Sequence, residues 1–145
     1  SSGFYAGTWR FTGLAALNEC PSIISIPSAI DVTLVVNQDG ERVVVNTNKL
    51  VLEGVTVPEE DGFDVFGETF AENGCVTSFA YRFTDASDDR ADVATVLNVR
   101  CGPVSCAVGY SGTAILDSSR SLELEGTEEL EEIAELVGVQ MVGVE

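Results

Sequence analysis

The chain has 145 residues and a formal net charge of −17, with Lys49 its one lysine and no histidine. A surface this negative repels phosphate, which excludes nucleic acid and disfavours anionic membrane surfaces as partners. Without histidine there is no Ser-His-Asp or Cys-His set, and a hydrophobic content of 45% argues against disorder.

Period-two alternation runs along most of the sequence and predicts strands. Tyr5, Gly7, Trp9 and Phe11 share one face of the first strand, opposite Phe4, Ala6, Thr8 and Arg10. An irregular stretch follows with Asn18, Cys20, Pro21 and Pro27. Ile30, Val32, Leu34 and Val36 then alternate with Asp31, Thr33, Val35 and Asn37. Asp39-Gly40 supplies the positive φ of a hairpin turn, and Val43 and Val45 lead the return strand. Another strand, near residues 50–57, ends at Pro58 and an acidic turn. The strand from Phe63 to Phe70 contains Gly67, a mark of a bulge or bend. After the Asn73-Gly74 turn, Thr77, Phe79, Tyr81 and Phe83 share a face. Val93, Thr95, Leu97 and Val99 alternate up to Cys101, and a last strand carries Val108, Tyr110, Ala114 and Leu116.

About eight strands joined by short turns, with no helix between them, should be antiparallel neighbours. The expected fold is therefore all-β: a meander closing into a small barrel, which removes both sheet edges. A two-sheet sandwich is the alternative, with residues 18–29 as its crossover. The β domain is placed at residues 1–117.

Residues 118–145 differ in character, with eight glutamates and one arginine, Arg120. From Thr127, a plausible N-cap, apolar residues fall at helix spacing, and Gly138 suits the C-cap. A short extended end follows, with Val139 and Met141 on one face. A helix of this length is marginal alone in water and must bury Leu130, Ile133 and Val137. It docks either on its own barrel or on a neighbouring subunit, with Val139 to Val144 then adding a strand to the neighbour's sheet. The second arrangement makes the C-terminal segment a self-association or protein-partner site.

The cysteines are Cys20, Cys75, Cys101 and Cys106, an even count that indicates disulfides and an extracytoplasmic location. Three connectivities are open. Cys101 and Cys106 flank the turn sequence Gly102-Pro103-Val104-Ser105, so a bridge across that hairpin is expected, leaving Cys20 with Cys75. Zinc is disfavoured, since no CxxC pair or histidine exists. The Ser1-Ser2-Gly3 start suits a processed mature end, a cloning remnant, or the segment after a lipoprotein's lipidated cysteine.

Two further groups of residues are candidate sites. Asp85, Ser87 and Asp89 alternate like the first positions of a calcium loop, though Arg90 stands where such a loop needs glycine. The plain reading is a solvated acidic turn, the sharper one a weak cation site. Phe63, Phe66, Phe70, Phe79, Tyr81, Phe83 and Tyr110 either fill the barrel or line a cavity for a small apolar ligand. No cofactor is expected beyond such weak calcium binding.

Gly7-Thr8-Trp9 on the first strand, the eight-strand meander and Arg120 just past it resemble the lipocalin-like, or calycin, barrels. That resemblance implies that Trp9 plugs the closed end and that Arg120 packs across it at the barrel floor, a cation–π contact. It also implies a carrier of a small apolar molecule. The reading that leads is a non-catalytic structural or interaction module, secreted, periplasmic or on the cell surface. A self-assembling envelope or lipoprotein-like subunit fits this description. The carrier is the alternative, and an enzyme is not expected.

Overall fold

The computed structural model describes residues 4–47, 50–117 and 129–142. Eight antiparallel strands form one closed barrel in chain order. They are β1 (Gly7–Asn18), β2 (Ala29–Asp39), β3 (Arg42–Asn46), β4 (Val51–Val57), β5 (Gly62–Phe70), β6 (Val76–Thr84), β7 (Arg90–Cys101) and β8 (Val104–Leu116). A short 3₁₀ turn, Pro58–Glu60, precedes β5, and the helix α1 spans Glu129–Val142. Pairing of β1 with β8 completes the ring, so no strand edge is left open. The sandwich is ruled out: β1 and β2 are direct neighbours, and the stretch between them does not cross to a second sheet.

The alternation turns one face of every strand inward. Trp9, Phe11, Val32, Leu34, Val36, Val43, Val45, Leu52, Phe63, Phe79, Phe83, Leu97, Val99 and Val108 are all buried in the resulting core. The outward positions carry Arg10, Asp31, Arg42, Glu53, Asp64 and Arg82, which pair across strands. These pairs are solvent-exposed and contribute little stability. The interior is apolar, and the exterior mixes these ion pairs with exposed apolar residues such as Phe66 and Val96. Among the described residues no helix is long and apolar enough to cross a membrane.

Small barrels bend sharply, and glycine absorbs the bend. At Gly54 on β4 an added Cβ would stand 1.7 Å from the backbone oxygen of Asp64 on the paired strand. Only a residue without a side chain lets β4 and β5 approach so closely.

Strand β1 runs further than its sequence pattern suggested, into the stretch read as irregular. One extra residue makes this work. Ala15 pairs with Tyr110, but Leu17 pairs with Gly109, so a bulge at Ala16 shifts the register by one. Asn18 then opposes Val108, and the Glu19 amide donates to the Ala107 carbonyl at 2.9 Å. Continuing that register sets Cys20 opposite Cys106.

The disulfides accordingly correct the expected pairing. Cys20 is joined to Cys106 with Cα atoms 4.8 Å apart, and Cys75 to Cys101 with Cα atoms 4.2 Å apart. The hairpin between β7 and β8 is tighter than the spacing of its cysteines suggested. Cys101 pairs with Val104, around Gly102 at φ 63°, and Cys106 faces Val99. Cys101 and Cys106 are therefore diagonal neighbours, roughly 7–8 Å apart, beyond comfortable bridging distance. Each bridge instead joins residues opposite one another in continued strand register: that of β6 with β7 in one case, that of the β1–β8 seam in the other. Both lie at the same end of the barrel, and two disulfides mark an oxidising environment.

Helix α1 packs at that disulfide end. Leu130, Ile133, Ala134, Val137 and Met141 form its buried stripe. The Met141 Sδ lies 3.5 Å from Cys106 Sγ, and the Gly138 carbonyl oxygen rests 3.9 Å from Cys75 Sγ and 3.8 Å from Cys101 Sγ. The helix is thus seated on its own barrel. The helix also passes straight through Gly138, which does not cap it, and the expected extended end from Val139 is helical up to Val142. Continued burial, reaching Met141, offsets the poor helix propensity of the glycine. A Cβ at position 138 would meet Cys75 Sγ at 3.6 Å and Val99 Cγ1 at 3.8 Å, ordinary contact distances. Gly138→Ala should therefore stabilise the protein by about 0.5–1 kcal/mol in urea denaturation. Destabilisation would mean that the helix is not seated as described.

A candidate binding cleft at the disulfide end of the barrel

At the opposite end, Trp9 anchors the closure. It is 2% exposed, its Nε1 donates to the Tyr5 carbonyl at 2.9 Å, and its ring meets Phe83 edge-on at 5.6 Å. Phe83 stacks on Phe63 at 4.3 Å, and Phe63 touches Tyr5 at 5.5 Å. These four rings fill the barrel floor. Arg120, its expected partner there, lies outside the described residues, as does Lys49.

The seven aromatic residues proposed to line a cavity do not share a space. Phe63, Phe79, Tyr81, Phe83 and Tyr110 are buried inside, but Phe66 is 52% and Phe70 is 76% exposed. The reason is strand parity. Phe63, Val65 and Gly67 point inward on β5, so Phe66 and Phe70 point outward. Deeper in, Phe11 meets Tyr81 edge-on at 6.3 Å. Burial, with the Glu131 carboxylate acting behind it, pushes the Tyr81 hydroxyl well above its ordinary range, so it stays protonated. Tyr110 donates from Oη to the Pro27 carbonyl at 2.8 Å, tying the loop between β1 and β2 over the disulfide end, where Ile24 is buried.

The loop with Asp85, Ser87 and Asp89 forms the turn between β6 and β7. Asp85 adopts a left-handed φ of 50°, and its amide donates to Glu60 O. The Ser87 amide and hydroxyl both donate to the Arg90 carbonyl, and the Asp89 carbonyl accepts from Leu116. Among the described residues no group of three or more acidic, cysteine or histidine side chains is arranged to hold a metal ion. All four cysteines are bridged.

Of the proposed interaction residues, Leu130, Ile133, Val137 and Met141 are spent on the protein's own barrel, while Val139 remains 60% exposed. Val139 borders an open cleft of about 490 Å³ between α1 and the β5–β6 hairpin. Leu50, Phe79 and Ala134 line its apolar depth beside the Cys75 bridge, and Phe70 stands at its edge. Glu72, Glu131 and Glu135 supply carboxylates. Glu131 is held in place by Thr47, whose Oγ1 donates to its Oε1 at 2.8 Å. In the sequence Glu131 and Glu135 are two among the eight glutamates of residues 118–145. The signal was present: residues 131, 135, 138 and 139 follow helix spacing and form one flank beside the buried stripe.

Fold and site together define a closed eight-strand antiparallel barrel, stapled by two disulfides at one end and covered there by its own C-terminal helix. Comparison of the chain with protein-family models, curated proteins and solved structures finds no match in any of the three.

Proposed function

We propose that this protein is a non-catalytic, extracytoplasmic interaction module that self-associates through the outer face of its barrel. The observation that carries this reading is an apolar band on that face. In register across β5, β6, β7, β8 and β1 stand Phe66, Ala80, Val96, Gly109 and Leu17. Phe66 is 52%, Val96 40% and Leu17 39% exposed, and Val55, next to Phe66, is 56% exposed. A depression of about 510 Å³ lies among Val55, Phe66, Ala80, Ala94 and Val96. Glu53, Asp64 and Arg82 line the same depression, so the Arg42–Glu53 and Arg82–Asp64 pairs interleave with the apolar residues of the patch. The helix, folded back on its own barrel, does not need a neighbour, so the outer face takes the place first given to the C-terminal segment.

A net charge of −17 opposes contact between identical copies, and salt screens that repulsion. Light scattering should therefore show assemblies larger than a monomer as ionic strength rises, and Phe66→Asp should abolish them. A wild-type chain that stays monomeric at all salt and protein concentrations removes this reading. The two disulfides suit a periplasmic, surface or secreted setting, including an envelope assembly.

A second reading is favoured by the cleft beside α1: a lipocalin-like carrier of a small molecule. The closed meander with Trp9 at its floor supports that kinship, and the cleft beside α1 is the space that suits a ligand. Native mass spectrometry showing a stoichiometric co-purifying small mass supports it.

A further inference from the structure

We infer that the cleft between α1 and the β5–β6 hairpin takes a small amphiphilic organic cation, in chemical class an alkylamine, with its apolar tail inside and its ammonium among the glutamates. This inference rests on the carrier reading and names its ligand class.

Two observations independent of each other point the same way. The first is the apolar surface left uncovered. Phe70 is 76% exposed at the end of β5, opposite Val76 across the hairpin. Val139 stands 60% exposed on the facing helix. Together with Leu50, Phe79 and Ala134 they make a groove of about 490 Å³, ample for a short alkyl chain. The fold does not require Phe70 to be aromatic, because the residue buries little of itself.

The second is charge. Among the described residues lining the cleft, Glu72, Glu131 and Glu135 are charged and none is basic. Glu72 comes from the hairpin and Glu135 from the helix, so the carboxylates flank the groove from both sides. The whole protein, at −17, adds a field of the same sign. A fatty acid or a phosphate ester would meet repulsion here, whereas an ammonium would find acceptors for its three donors. A neutral apolar molecule would gain nothing from the glutamates.

The test is calorimetric titration of the full chain with three probes of equal length: n-octylammonium, octan-1-ol and octanoate. Octylammonium should bind one molecule per chain and octanoate should not bind. Glu72→Gln/Glu135→Gln should weaken octylammonium about tenfold, as should about 1 M salt, where the Debye length is about 3 Å. Phe70→Ser should weaken it through the tail. These positions are at the surface, and circular dichroism verifies that each variant is folded. If octan-1-ol binds as tightly as octylammonium and the glutamine variant changes nothing, the cation assignment is overturned while the carrier reading survives. If none of the three binds, the alkylamine assignment is overturned, and a native mass spectrum without a co-purifying small mass overturns the carrier reading as well.

Discussion

Removing the Cys20–Cys106 bridge, as the double variant Cys20→Ala/Cys106→Ala, is expected to lower unfolding stability by about 4–5 kcal/mol. The bridge closes a separation of 86 residues, and chain-entropy arguments give a loss of that size for a loop this long. It also sits at the end of the β1–β8 seam, the one pairing that turns the meander into a closed ring. The Cys75–Cys101 bridge closes a separation of 26 residues, and its removal should cost about 3.5 kcal/mol. Urea denaturation of the two double variants checks the order. A smaller loss for Cys20→Ala/Cys106→Ala would mean that the seam does not depend on that bridge.

Trp9→Ala should cost about 3–5 kcal/mol, the range for emptying a large aromatic site in a packed core. The residue is almost fully buried, it touches Phe83, and its indole N–H satisfies the Tyr5 carbonyl. Alanine leaves a cavity at the floor and an unmet acceptor. Trp9→Phe keeps most of the volume and loses the hydrogen bond, so it should cost less. Denaturation followed by near-ultraviolet circular dichroism tests both. A loss under about 1 kcal/mol for Trp9→Ala would show that the floor is not packed as described.

Much of this fold was legible in the alternating pattern. Trp9 and Phe11, the Ile30–Val36 set and the Thr77–Phe83 set all turned inward as their spacing required. The turns at Gly40 and Gly74 take the positive φ that Asp-Gly and Asn-Gly announced. What could not be read was register. A single added residue near Ala16 decides which residue faces Cys106, and no local pattern marks it. Spacing within one hairpin suggested a Cys101–Cys106 bridge, whereas pairing across whole strands set both cysteines against other partners.

The candidate cleft was less legible for a related reason. Its walls come from residues 50, 69–79 and 131–139, which only the closed barrel and the docked helix bring together. Phe70 shares its aromatic character with the inward residues, but its parity on β5 turns it outward. Glu131 and Glu135 were hidden in an acidic run. Gly138 looked like a cap because glycine commonly ends a helix, but burial of Met141 one turn later keeps the helix going.

The most direct check on the closed, register-shifted barrel is the disulfide map of unreduced protein after trypsin. Cleavage at Arg10, Arg42, Lys49, Arg82, Arg100 and Arg120 puts Cys20, Cys75 and the Cys101/Cys106 pair on three separate peptides. The structure predicts all three joined in one species, with fragmentation assigning Cys101 to Cys75 and Cys106 to Cys20. A free peptide with Cys101 bonded to Cys106, beside a Cys20–Cys75 pair, would contradict the closure of β1 onto β8.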